Sequence, residues 1–319
     1  MVHVHPEIRM TRVLFLFIDG IGLGPKDSAH NPFAVARMPN LKSILDGRTV
    51  TMESVPYDGA QATLLGVDAC LGVDGAPQSA SGQAALLTGR NVPAETGGHY
   101  GPKPNPPIAS ILKESNIFDA VTKQGGKAAL LNAYPPRYFE MIDSGRRLYS
   151  AIPLAVTAAG IDLMTAEDLQ EGRAMSVDFT GEGWVAQPDF PPAPVYESHE
   201  AGLMLAEISE SYDLTWFDFW PSDIAGHKGS MADAVDLLEA FDDMLGGLLK
   251  AWEEREDLIV LTSDHGNMEN LSIRGHTRNL VPALLVGPAD ARDQFSKDLK
   301  DLTDFAPAIL AAIANTHIS

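Results

Sequence analysis

Two stretches of the chain are apolar without interruption and then turn acidic. Arg12-Val-Leu-Phe-Leu-Phe-Ile-Asp-Gly20 is one, and Leu258-Ile-Val-Leu-Thr-Ser-Asp-His-Gly-Asn267 is the other. A short continuous apolar run fits a strand buried on both faces, as in parallel sheets covered by helices on either side. In open α/β sheets, ligands collect at the carboxyl ends of the strands. Asp19 and the pair Asp264-His265 are expected at those ends. An Asp-His pair there has a bland explanation, a polar loop closed by a salt bridge, and a functional one, metal ligation.

The rest of the chain supplies the alternation that such a sheet needs. Strands are expected at residues 62–67, 127–132, 214–220 and 281–286. Helices are expected at 108–124 (broken near Asn116), 197–211 and 302–313, and at 231–252 with Val235, Leu238, Phe241, Leu245 and Leu249 as its apolar stripe. Two short helical pieces fit residues 31–46, the second opening on Pro39 as a first-turn proline. Strands alternating with helices predict an α/β fold, with a mostly parallel central sheet and helices on both faces. Residues 133–196 break the alternation with many prolines and scattered arginines, Arg137, Arg146, Arg147 and Arg173. A small inserted cap is expected there, on a single core domain made of residues 1–132 and 197–319.

Composition excludes several functions. At 319 residues with 45% hydrophobic content, the chain has ample length for a large core. No apolar window approaches the roughly 18 residues that a membrane helix requires. The stretch Met1-Val-His-Val-His-Pro-Glu-Ile-Arg-Met10 lacks the apolar core of a signal peptide, so the expected location is the cytoplasm. Cys70 is the single cysteine, which rules out an intramolecular disulfide and cysteine metal clusters. A formal charge of −20 argues against nucleic acid and anionic membranes as partners. An anionic substrate would need local positive charge, and bound divalent metals supply it.

Three further features carry chemistry. In Gly75-Ala-Pro-Gln-Ser-Ala-Ser-Gly-Gln-Ala-Ala-Leu-Leu-Thr-Gly89 a loop leads into a helix that stops at glycine, which puts Ser79 at a helix N-terminus. Serine there serves as a plain N-cap or as a nucleophile whose substrate phosphate meets free N–H groups, and the two uses are compatible. Gly20, Gly22 and Gly24 invite a nucleotide-cofactor reading, and with it an oxidoreductase, but the spacing is G-x-G-x-G and Pro25 stands where a helix should begin; no such cofactor is expected. Asp223 and His227 follow the strand at 214–220, and His276 lies in the loop after Asp264-His265. Six Asp and His candidates aimed at one sheet edge suit divalent ions, Mn²⁺ or Zn²⁺. They divide into two sites of three, and a metal pair clamps both sides of a displacement at phosphorus. Ser79 is the candidate nucleophile, with Ser81 second.

Together the motifs Ile18-Asp-Gly20, Gln78-Ser-Ala-Ser-Gly82, Asp223-Ile-Ala-Gly-His227, Ser263-Asp-His-Gly-Asn267 and Gly275-His-Thr277 resemble the alkaline phosphatase superfamily. Within it, they are most similar to the branch of cofactor-independent phosphoglycerate mutase and phosphopentomutase. The resemblance implies an alkaline phosphatase-like fold, with one metal held by Asp223, His227 and His276 and the other by Asp19, Asp264 and His265. It implies Ser79 as the nucleophile, since the family's nucleophile lies ten residues before the glycine that closes its helix, here Gly89. The expected activity is two-metal phosphoryl transfer, by a phosphomonoesterase or phosphomutase, on a small phosphorylated substrate through a phosphoserine. The sequence departs from the mutases at Gln83 and Lys228, where they usually carry His and Thr, and some sixty residues replace their large Arg-rich insertion. That favours hydrolysis of a small phosphoester over the named mutase reactions. Substrate contacts are expected from Arg137, Arg146, Arg147 and Lys228. Sulfate-ester hydrolysis would require cysteine at position 79. The alternative from another class is a metal-binding member of the superfamily without turnover.

Overall fold

The computed structural model of the chain describes residues 8–253, 255–314 and 316–318. Its strands are β1 (Ile8–Met10), β2 (Val13–Ile18), β3 (Tyr57–Asp58), β4 (Ala62–Val67), β5 (Ala128–Leu130), β6 (Leu214–Phe219), β7 (Leu258–Thr262), β8 (Val281–Val286) and β9 (Thr316–Ile318). Strands β1 and β9 pair in a small antiparallel sheet. The other seven form the central sheet in the order β3-β4-β8-β7-β2-β6-β5. Strands β7, β2, β6 and β5 run parallel side by side. Strand β8 reverses against both β7 and β4, so β4 again runs with the parallel set, and β3 reverses against β4.

The uninterrupted apolar runs are explained by burial on two faces. Val13, Phe15 and Phe17 of β2 belong to one apolar cluster, with Trp216 of β6 and Val260 of β7. Leu14, Leu16 and Ile18 belong to the other, with Phe217 and Ile259. Alternation along a strand sends successive side chains to opposite faces, and both faces here are covered. Helices Ser79–Thr88, Pro106–Glu114, Ile117–Lys123 and Phe305–Ala314 close the first; helices Pro39–Ile44, Ser198–Ser209 and Met231–Trp252 close the second. Phe15 stacks on Trp216 with ring centroids 3.9 Å apart at the centre of the first face. Among the described residues, no helix is long and apolar enough to cross a membrane. Residues 1–7 of the opening stretch lie outside the described residues.

Two stretches differ from the sequence expectation in their local form. Residues 133–196 contain short helices, Pro136–Asp143, Ala151–Ala158, Ala166–Gln170 and Glu182–Val185. Ala151, Ile152, Ala155 and Val156 join the first apolar cluster, Met175 and Phe179 join the second, and Ala133, Leu169 and Trp184 are part of a third, smaller one. Part of this stretch is therefore built into the core beside the edge strand β5. The segment after β6, for which the sequence predicts no element, is the helix Pro221–Lys228, with Pro221 in its first turn.

Candidate metal centre

The site lies where β2, β6 and β7 end. Asp19 directly follows β2, and its position continues the alternation of Phe15 and Phe17 toward the face covered by helix Ser79–Thr88. The loop after β7 carries Asp264 and His265, both fully buried. Asp223 and His227 stand one turn apart on helix Pro221–Lys228, so the i,i+4 spacing places both on one face. His276 arrives from the loop before β8, which an antiparallel bridge between Gly266 and Thr277 folds back on the β7 loop.

The six residues gather as two groups of three, Asp223, His227 and His276, then Asp19, Asp264 and His265, each with ligand atoms within 4.8 Å of one another. In the first, His227 Nε2 lies 3.4 Å and His276 Nε2 3.8 Å from Asp223 Oδ1. In the second, His265 Nε2 lies 3.3 Å from Asp19 Oδ1 and 3.7 Å from Asp264 Oδ2. The imidazoles of His265 and His276 stack at 3.6 Å, which joins the groups into one centre. Ser79 Oγ is 3.1 Å from His265 Nε2. The N-cap of its helix is Gln78, so the plain serine-cap use of Ser79 is not what the structure has.

Electrostatics test whether divalent cations fit. Burial, then the neighbouring carboxylates of Asp264 and Asp223, holds the Asp19 carboxyl well above the usual range. Asp264 is likewise raised, by burial first and by Asp223 next. Burial pushes His265 well below the usual imidazole range, with His276 adding to the effect, and burial lowers His276 too. Asp19 Oδ1 and Asp264 Oδ1 are buried without a hydrogen-bond partner among the described residues. Repelling carboxylates with orphaned oxygens beside neutral imidazoles are the state that a cation pair relieves, because metals ligate carboxylate anions and neutral imidazole. The donor set of three carboxylates and three imidazoles fits such ions.

Surrounding contacts orient the ligand side chains. His276 Nδ1 contacts Pro77 O at 2.7 Å and His227 Nδ1 contacts Arg274 O at 2.9 Å, leaving Nε2 of each toward the centre. Asn267 Nδ2 donates to Asp223 Oδ1 at 2.7 Å. Gln83 Nε2 donates to Asp264 Oδ2 at 3.2 Å and to Asp19 Oδ2 at 3.5 Å. Close packing needs glycine at Gly20, whose φ is +71° and where a Cβ would lie 2.7 Å from Asp223 Oδ1. Gly22 donates its N–H to Glu269 Oε2 at 2.9 Å, so these glycines serve the approach of acidic side chains.

Substrate candidates are dispersed. Arg137 is exposed and paired with Asp189 at 3.5 Å, while the Arg147 guanidinium lies 4.8 Å from the centre of the Tyr138 ring. Both line a cavity on the β6 side of the site; Arg146 is exposed and is not part of its lining. Lys228 is exposed next to His227. Sequence reasoning missed two acids. Glu269, 1% exposed, accepts from the backbone N–H of Gly22 and Asn267 and from the side chains of Thr277 and Asn279. A lone glutamate in a polar loop gives no signal in one sequence. Asp218 gave one, as a carboxylate inside the buried run of β6.

Known proteins resemble the chain over part of its length in sequence and over nearly all of it in fold. Residues 195–316 match the model of the Metalloenzyme superfamily. Over 123 residues the chain is 32% identical to the 2,3-bisphosphoglycerate-independent phosphoglycerate mutase of Moorella thermoacetica, covering 37% of this chain and 24% of the relative. Over 150 residues it is 31% identical to the protein of the same name from Roseobacter denitrificans, covering 42% of this chain and 28% of the relative. The chain thus spans about a quarter of the length of the curated relatives it matches. The solved structure of the PH0037 protein from Pyrococcus horikoshii aligns over 96% of this chain and 98% of its own, with a TM-score of 0.58 at 16% identity. The alkaline phosphatase from the Antarctic bacterium TAB5 aligns over the same shares with a TM-score of 0.54 at 14% identity. These two likenesses concern the fold, which is alkaline phosphatase-like.

Proposed function

We propose, from the chain's resemblance to the alkaline phosphatase superfamily in its Metalloenzyme-matched segment and its fold, that it is a metal-dependent phosphotransferase acting through Ser79. The observation that carries this reading is the pair of Asp/His groups with the Ser79 hydroxyl 3.1 Å from His265 Nε2. Asp223, His227 and His276 hold one divalent ion in this proposal, and Asp19, Asp264 and His265 the other. When bound, the two ions supply the positive charge that stabilises the phosphoryl oxygens and lowers the proton affinity of the Ser79 hydroxyl.

The chain's own residues then do the following. The helix Ser79–Thr88 presents the positive end of its dipole where the phosphate sits. Ser79 Oγ loses its proton and bonds to phosphorus as the bond from phosphorus to the alcohol oxygen breaks, and the alcohol leaves with a proton. Water or a second hydroxyl attacks the phosphoserine at phosphorus and frees Ser79. We favour water, because some sixty residues, 133–196, stand where the mutases carry their large Arg-rich insertion. Mn²⁺ or Zn²⁺ in a cytoplasmic enzyme, with residues 133–196 covering the substrate, completes the proposal.

The test is direct. Protein loaded with Mn²⁺ or Zn²⁺ is expected to cleave an activated aryl phosphate, and Ser79→Ala is expected to abolish that cleavage. Equal rates in wild type and Ser79→Ala would remove Ser79 from the reaction.

A further inference from the structure

Between the end of β6 and the 133–196 stretch lies an open cavity of about 650 Å³, within the size range of small-molecule sites. Five aromatic side chains line it, Tyr134, Tyr138, Trp184, Phe190 and Trp220, beside the cations of Arg137 and Arg147. Three buried polar side chains also line it, Asp218, Ser176 and Tyr138, which are 9%, 2% and 7% exposed. Asp218 Oδ1, Ser176 Oγ and Tyr138 OH each have no hydrogen-bond partner among the described residues. A buried polar atom left unpaired costs about 1–3 kcal/mol. These three atoms are closed off inside the wall, so a bound molecule meets the aromatic faces and the exposed edge of Asp218.

The cavity adjoins the metal centre. Asp218 pairs in register with Phe17, two residues before Asp19 on the neighbouring strand. Pro221, which also lines the cavity, opens the helix that carries Asp223. A ligand filling this space would lie beside the centre, against the strand end and the helix start that lead to Asp19 and Asp223.

The geometry points to this cavity as the subsite for the alcohol portion of the phosphoester, and to an alcohol that carries an aromatic or heteroaromatic ring with a hydrogen-bond donor for Asp218. The inference rests on the phosphotransferase reading above and adds the substrate class. Stacking on aromatic walls contributes about 0.5–1.5 kcal/mol per ring pair beyond area burial.

Metal-loaded protein should be assayed with two ring-bearing alkyl monoesters, adenosine monophosphate and tryptophol phosphate, against glycerol phosphate and phosphoglycerate, so that every leaving group is an alkyl alcohol. The ring-bearing esters are expected to show kcat/KM about tenfold higher. Trp220→Ala, at an exposed position, and the isosteric Asp218→Asn are each expected to compress that ratio several-fold through KM. Independently, adenosine is expected to quench tryptophan fluorescence of the metal-free protein saturably, and less so after Trp220→Ala. Turnover of aliphatic esters with equal or higher kcat/KM overturns the ring subsite and leaves the phosphotransferase reading standing. Saturable ring binding without turnover of any ester overturns the phosphotransferase reading and, with it, the assignment of the cavity to the alcohol of a phosphoester, leaving only a ring-binding cavity. Neither binding nor turnover overturns both.

Discussion

Glu269 ties together three segments that carry ligands without itself belonging to either Asp/His group. Its Oε2 accepts from Gly22 N at 2.9 Å and Asn267 N at 2.7 Å, and its Oε1 accepts from Asn279 Nδ2 at 2.9 Å and from the Thr277 hydroxyl. Those partners follow Asp19, His265 and His276 closely in the chain. An amide in place of the carboxylate turns an NH₂ toward one pair of donors, at a cost of about 1–3 kcal/mol. Glu269→Gln is therefore expected to weaken metal binding about 10- to 100-fold, the scale found when outer-shell partners are removed. Competition with a chromophoric chelator reads this out, and unchanged affinity would show that the three loops hold their places without Glu269. Nothing in the sequence singles out Glu269, because its partners lie on segments up to 247 residues away.

At the scale of elements, the contact between helix Ser79–Thr88 and the β7 loop sets the distance from nucleophile to ligands. Gly82 sits in that contact: a Cβ there would lie 2.9 Å from Asp264 O and 3.0 Å from Asp264 Cβ. Alanine gains about 1 kcal/mol of helix propensity at an interior position, which offsets part of the strain. Gly82→Ala is accordingly expected to leave Tm within a few degrees while kcat falls by about 100-fold, since a small displacement of a reacting group costs that much. A variant with kcat near wild type would mean that the helix tolerates a retreat from the loop. The long elements were legible in the chain. Helix Met231–Trp252 and strands β4 and β8 have the expected bounds, because their apolar patterning is continuous. Helix Pro221–Lys228 was not, since only eight residues between a strand and a glycine carry little periodicity. Residues 133–196 were read as irregular because their helices are short and divide their apolar side chains among three clusters.

At the scale of the molecule, the candidate centre draws on residues from position 19 to position 276, brought together by a sheet whose order interleaves both halves of the chain. The ligand candidates were legible because Asp and His at strand ends stand out against apolar runs. The cavity beside them was not, because its aromatic walls come from separate segments around the edge of the sheet. A chain with a formal charge of −20 that gathers three carboxylates at one point depends on cations to make that point hospitable to a phosphate. The central claim is that bound divalent ions make Ser79 a phosphate acceptor, and peptide mapping by mass spectrometry tests it most directly. Metal-loaded protein is mixed with a phosphomonoester, quenched in acid and digested. The account predicts phosphate on Ser79 that disappears when the metals are removed by chelation. Turnover with no phosphate on Ser79, or with phosphate on Ser81 instead, would contradict it.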